Sequence, residues 1–167
     1  MKKFQYLVLG TLTLLIFSCS NKKEFVPTFN GKDWGINSTI GKYGGHTGDF
    51  CSKIDSINQY SYGFGKLLSE ISPDPIKTVK ASVWVKLEHL DKNIKLVLAI
   101  TGPTHKTILW KGHEINSVAK EVNKWYEFEV EEALPDFDAE GAYIEIYVWN
   151  PDKNVAYVDD LEVKFYN

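Results

Sequence analysis

The chain has 167 residues, 44% hydrophobic and 14% aromatic, and carries 19 Lys, no Arg and 22 acids for a formal charge of −3. An acidic balance without Arg's planar fork excludes a basic face built to grip phosphate, so nucleic acid is not an expected partner. The length suits one domain with a full core of its own.

The chain opens with Met1-Lys2-Lys3, followed by an apolar run from Leu7 to Phe17 that only Gly10, Thr11 and Thr13 interrupt. That run is too short for a bilayer span, which needs about 20 residues. A charged start, a short apolar stretch and the small residue Ser18 just before Cys19 are the parts of a secretory signal. Leu15-Ile16-Phe17-Ser18-Cys19 resembles the lipobox of bacterial lipoproteins. The resemblance implies that residues 1–18 are removed and that the Cys19 thiol carries the lipid (palmitate among its acyl chains), holding the chain at a membrane. It also implies that Ser20, in place of Asp, sends the lipoprotein to the outer membrane, facing the periplasm or the cell surface. Losing Lys2 and Lys3 with the leader takes the formal charge to about −5. Cys51 is then the remaining cysteine, so no intrachain disulfide is expected, and it reads as a small buried thiol. Residues 19–28, with polar Ser20 to Pro27, read as a tether. The domain runs over residues 29–167.

Within the domain the dominant period is two. Weaker, aromatic-rich segments come first, at Phe50 to Asp55 and Tyr60 to Leu68. Ala81, Val83, Val85 and Leu87 then alternate with polar residues and Trp84, and Ile94, Leu96, Leu98 and Ile100 follow the same rule. Tyr126, Phe128 and Val130 alternate with Glu127, Glu129 and Glu131. Ala142, Ile144, Ile146 and Val148 alternate with Tyr143, Glu145, Tyr147 and Trp149, and Leu161, Val163 and Phe165 complete the series. Such alternation marks strands with one buried face. Turn residues separate them at Gly41 to Gly48, Ser72-Pro73-Asp74-Pro75, Gly102-Pro103, Leu134-Pro135-Asp136 and Asn150-Pro151-Asp152. The best helical stretch, Ile115 to Val122, is short. The pattern predicts an all-β fold: an antiparallel β-sandwich of about eight or nine strands, without repeats or a second domain.

Asp159-Asp160 interrupts the last strand. Adjacent acids repel one another and suit a strand poorly, so something must compensate. Gly45-His46-Thr47-Gly48, then Lys80-Ala-Ser-Val-Trp84-Val-Lys86, then Trp125-Tyr-Glu-Phe128, and finally Val155-Ala-Tyr-Val-Asp159-Asp160-Leu-Glu-Val163 follow in order. This succession is similar to the jelly-roll carbohydrate-binding modules and the wider galactose-binding-like sandwiches, over the whole domain. The resemblance implies a jelly roll. It also implies a structural calcium ion held by Asp159 or Asp160 with backbone carbonyls near the N-terminus and the glycine-rich loop, Asp33 being an upstream contributor. Hard oxygen ligands suit that ion. A β-bulge with hydrogen-bonded carboxylates accounts for the pair equally well.

If the aliphatic residues face inward, Trp84, Trp125, Tyr143, Tyr147 and Trp149 face outward, and Glu127 and Glu145 share those faces. Sugars stack their C–H faces on such rings, and carboxylates accept hydroxyl hydrogen bonds beside them. The competing expectation is that loops cover these rings, because Trp is mostly buried in folded proteins. Catalysis has little support: no HExxH, no Gly-x-Ser-x-Gly and no phosphate loop occurs. Alternating Glu127, Glu129 and Glu131 read as solvated acids on a strand face. The expected function is a non-catalytic, surface-anchored lipoprotein that binds glycan, with a protein-docking lipoprotein as the alternative.

Overall fold

The computed structural model describes residues 38–167. Cys19 and Asp33 lie outside the described residues, as does the predicted tether. Nine strands are present among those described: β1 (Ile40–Gly41), β2 (Cys51–Ile54), β3 (Phe64–Leu67), β4 (Thr78–Leu87), β5 (Lys95–Thr101), β6 (Thr107–Glu114), β7 (Trp125–Ala133), β8 (Tyr143–Trp149) and β9 (Ala156–Tyr166). They form two antiparallel sheets, a five-stranded one in the order β1-β2-β9-β4-β7 and a four-stranded one in the order β3-β8-β5-β6. Setting aside the two-residue β1, the orders 2-9-4-7 and 3-8-5-6 are those of an eight-stranded jelly roll with two Greek keys.

Period two does what it predicts. Val79, Ala81, Val83, Val85 and Leu87 of β4, Ile144, Ile146 and Val148 of β8, and Leu161, Val163 and Phe165 of β9 are all buried. With Leu96, Leu98 and Ile100 of β5 they form a single core between the sheets. Burying such aliphatic side chains contributes roughly 1.5–3 kcal/mol each, the main force clamping the two layers. Each predicted turn segment falls between strands, and buried Asn150 closes the turn after β8 by accepting from the Asn154 N–H at 3.2 Å. Cys51 is fully buried in β2, and burial pushes its thiol up to about 11.

One expectation holds and another changes. Ile115 to Val122 forms turns rather than a helix, with the Val118 N–H donating to the Ile115 carbonyl at 3.1 Å. Ile115 is fully buried, so its apolar character reflects anchoring of the turn and not a helical stripe. In the segment Tyr60 to Leu68, Tyr60 bridges Trp149 and residues 64–67 form β3, and the chain then winds into the one-turn helix α1 (Leu68–Ile71), whose Leu68 enters the core. A single turn shows no period to read.

β9 changes phase. Ala156 and Val158 point inward before Asp159, and Leu161, Val163 and Phe165 point inward after Asp160. Its pairing with β4 shifts between Ser82↔Glu162 and Trp84↔Asp159. One residue more on β9 than on β4 lies between those pairs, which is a β-bulge. Asp160 takes the left-handed backbone conformation there, at φ +46. A non-glycine residue in that region costs about 1–3 kcal/mol unless its surroundings hold it.

Candidate functional site

The two sheets present opposite outer faces, and the sequence-predicted aromatics divide between them. Trp84, Trp125 and Glu127 lie on the five-stranded sheet, where Trp84 is in register with Glu127 and Lys86 with Trp125. Tyr143, Glu145, Tyr147 and Trp149 lie on β8 of the four-stranded sheet. A single platform of all five rings is therefore excluded. Alternation assigns a side to each residue within its strand, but the two outward sides face apart once the sheets stack.

On the five-stranded sheet the rings are half-buried. The glycine-rich loop folds over them, and the His46 imidazole stacks on Trp84 at 3.6 Å between centroids and 9° between planes. The same ring meets Trp125 edge-on at 6.1 Å. Lys86 Nζ lies 4.8 Å from the Trp125 centroid and 4.5 Å from that of Tyr157, and donates to the Gly44 carbonyl at 3.2 Å. These residues hold a loop, as the covered-ring expectation requires.

The aspartate pair explains why the loop stays down. Asp159 is fully buried. Its Oδ2 accepts the backbone N–H groups of His46 at 2.8 Å and Thr47 at 3.2 Å, while its Oδ1 accepts the Asp160 N–H at 2.9 Å. Asp160 accepts the Thr47 hydroxyl at 2.6 Å and the His46 ring Nδ1–H at 2.7 Å. Gly45 permits the close approach: a Cβ there would sit 2.3 Å from the Phe50 carbonyl and 2.6 Å from Asp159 Oδ2. Burial, and secondarily the neighbouring Asp160 charge, raises the Asp159 pKa above its ordinary value. Asp33, the third predicted ligand, lies outside the described residues, and within them the aspartate pair already faces hydrogen-bond donors. The groups facing these carboxylates are N–H and O–H donors and an imidazole, not the carbonyl and carboxylate oxygens of a hard-cation cage. No cluster of three or more His, Cys, Asp or Glu suited to a metal occurs among the described residues.

On the outer face of the four-stranded sheet Tyr143 and Glu145 are exposed, and Tyr147 and Trp149 are half-buried. Tyr143, Glu145, Tyr147 and Trp149 rise at alternate positions along β8, spanning about 20 Å by strand rise. Val97 and Ala99 of β5 are in register with Tyr147 and Glu145, and both are buried although they point outward. They form a low floor beneath taller rings. On the other side of β8, Gly65 of β3 is in register with Glu145 and presents no side chain to it. The Tyr143 ring lies over Gly65, where a Cβ would come within 2.5 Å of its hydroxyl.

Two rings that the pattern did not single out complete this face. Tyr60, 56% exposed, meets Tyr147 edge-on at 5.8 Å, and Trp110 of β6, 46% exposed, meets Trp149 at 6.0 Å. The Trp110 indole also hydrogen-bonds the Tyr147 hydroxyl, whose pKa is raised mainly by burial. Trp110 escaped notice because β6 is an edge strand. Its pairing with β5 slips by one residue at Ile108, so Ile108 and Leu109 both pack against the core and the alternation fails. The remaining signal was the apolar triplet Ile108-Leu109-Trp110 between two turns.

Two clefts flank the middle of the row. One, of about 520 Å³, is lined by Tyr60, Ser61, Tyr62, Gly63, Gly65 and Tyr147 together with Tyr143 and Glu145. The second, of about 420 Å³, runs from Tyr143 and Glu145 to Thr101, Pro103, His105 and Gly141. Tyr143 and Glu145 line both, so the two clefts adjoin at these side chains. A third hollow, of about 380 Å³, lies elsewhere, between the α1–β4 and β7–β8 connections around Leu68, Pro73, Leu134 and Phe137. None of the predicted site residues lines it.

Comparison with solved structures bears on the architecture. The second CBM22 xylan-binding domain of Paenibacillus barcinonensis Xyn10C matches with a TM-score of 0.51 at 15% identity, over 75% of this chain and 84% of that one. A family 16 carbohydrate-binding module matches with a TM-score of 0.51 at 13% identity, over 78% and 87%. The sandwich shares its fold with carbohydrate-binding modules. No protein-family model matches the sequence, and no curated protein matches it.

Proposed function

We propose that this chain is a non-catalytic glycan-binding lipoprotein, anchored through Cys19 at the outer membrane, with its sugar site on the outer face of the four-stranded sheet. The observation that carries the reading is the groove. Tyr143, Tyr147 and Trp149 stand in one row, Tyr60 and Trp110 extend it sideways, and Glu145 is the acid at its middle. Flat rings offer wide, rigid contact to sugar C–H faces at small entropic cost, and the carboxylate accepts hydroxyl protons between them. A sandwich of the carbohydrate-binding-module fold is a suitable frame, although a fold by itself hosts many functions. The non-catalytic part rests on the lining: glycosidases need two carboxyl groups across the scissile bond, and Glu145 is the one acid that lines the two clefts.

The test is a glycan array and pull-down with the full chain in detergent. Xylan belongs in the panel because one fold neighbour is a xylan-binding domain. Binding by the wild type that Tyr143→Ala and Tyr147→Ala weaken, with melting temperatures preserved, supports the site. A wild type that retains no glycan overturns it and leaves docking to a protein as the reading. Anchoring is tested separately by labelled fatty acid, whose incorporation Cys19→Ala should abolish.

A further inference from the structure

The groove's charge bears on which glycans it admits. Glu145 lies where the two clefts join, so a chain laid along the aromatic row passes over its carboxylate. Its register neighbours are Ala99 on β5 and Gly65 on β3, neither long enough to shield or pair with it. Glu145 has no ion-pair partner among the described residues. No lysine lines either cleft, His105 being the one basic side chain there, and the sequence contains no Arg at all. Lys95, which points out of this face, is in register with Trp149 at the far end of the row and has Glu114 opposite it. At the near end the field is acidic from two sides: burial, then Glu145 and Glu70, raise the Tyr143 pKa.

We propose that the groove selects uncharged glycans and that Glu145 enforces the choice by repelling carboxylate-bearing sugars. The inference rests on the glycan reading of this face. A neutral sugar offers hydroxyl donors to an unpaired carboxylate, which ionised Glu145 can accept. A uronate instead brings a second negative charge beside Glu145, where no lysine lines either cleft and His105 is the one basic side chain. Like charges juxtaposed at an interface suppress binding strongly, and sites for anionic ligands are generally lined by Arg or Lys.

The experiment places the full chain on a panel of neutral β-glucan, xylan, galactan and mannan beside polygalacturonate and alginate, at low and high salt. The uronates should bind on the order of tenfold or more weaker than the best neutral glycan at low salt. That ratio should shrink at high salt, where screening shortens the reach of the repulsion. Glu145→Gln should shrink it at low salt, with its melting temperature as the check on folding. Uronates that bind as tightly as the best neutral glycan, or a neutral-to-uronate ratio indifferent to both salt and Glu145→Gln, would overturn the selectivity while leaving glycan binding in place. Retention of no polysaccharide at all would overturn the glycan reading itself, and the selectivity with it.

Discussion

Replacing Trp84 and Tyr143 by alanine, one at a time, should have opposite consequences. Trp84 is half-buried under the glycine-rich loop, with the His46 ring stacked on it at 3.6 Å. Truncating a fully buried Trp costs about 3–5 kcal/mol. Half of that, with about 0.5–1.5 kcal/mol for the lost ring pair, gives roughly 2–4 kcal/mol. For a domain of this size each kcal/mol lowers the melting temperature by about 3–5 °C, so Trp84→Ala should melt roughly 10 °C early. Its glycan affinity, measured below the transition, should stay at the wild-type value, because Trp84 faces away from the groove. Tyr143 is 38% exposed and rests on Gly65. Its removal should shift the melt by little more than the ±0.5 kcal/mol usual for surface changes, yet weaken binding by about 1 kcal/mol or more. Differential scanning fluorimetry beside affinity electrophoresis in a gel carrying the retained polysaccharide reads both quantities. A Trp84→Ala variant that melts as wild type and loses the glycan would refute the assignment of the binding face.

Three further outcomes follow from the same geometry. Chelator should leave the melting temperature unchanged, since the oxygens of Asp159 and Asp160 already face N–H and O–H donors; a fall restored by calcium would contradict this. Because the folded-state pKa of Asp159 is raised, its contribution to stability is fully present below the ordinary value of 3.8 and is lost as pH rises through the folded value. The stability of wild type minus that of Asp159→Asn should therefore fall from acid to neutral pH in chemical denaturation, and a difference that rises instead would show the sign to be wrong. Gly63→Ala should destabilise strongly, because its Cβ would meet the Ile146 carbonyl at 2.3 Å, whereas Gly65→Ala meets the movable hydroxyl end of Tyr143 and should perturb binding more than the melt.

Much of the fold is legible in the chain because alternation and turn residues are local. The inward residues of β4, β5, β7, β8 and β9 follow from period two alone, as do the breaks at Pro73, Pro103, Pro135 and Pro151. The elements that escape are those with too little pattern. β1 has two residues, and β6 is an edge strand whose inward face is only partly covered. The site was half legible for a different reason. β8 carries Tyr143, Glu145, Tyr147 and Trp149 as a complete outward row, so these four could be grouped from sequence. Adding Trp84, Trp125 and Glu127 required knowing which sheet each strand joins. That is fixed by pairings between distant segments, β4 with β7 and β9 but β8 with β3 and β5.

One long-range feature nevertheless had a local trace. In Ala156-Tyr157-Val158-Asp159-Asp160-Leu161-Glu162-Val163, apolar residues fall on even positions up to Val158 and on odd positions from Leu161. A regular strand cannot keep both sets in the core, since a shift of one residue moves every side chain to the opposite face. An extra residue must be absorbed between them, and the two acids are what remain. The bulge leaves Asp159 in register with Trp84, buried beneath the glycine-rich loop, and Asp160 in the left-handed region. Neither is tolerable without donors, and the glycine-rich loop supplies them from more than a hundred residues upstream. The same event that corrects the phase of β9 thus fixes the loop that covers Trp84 and Trp125. With the loop held down on that face, the exposed rings Tyr60, Trp110 and Tyr143 stand on or beside the four-stranded sheet.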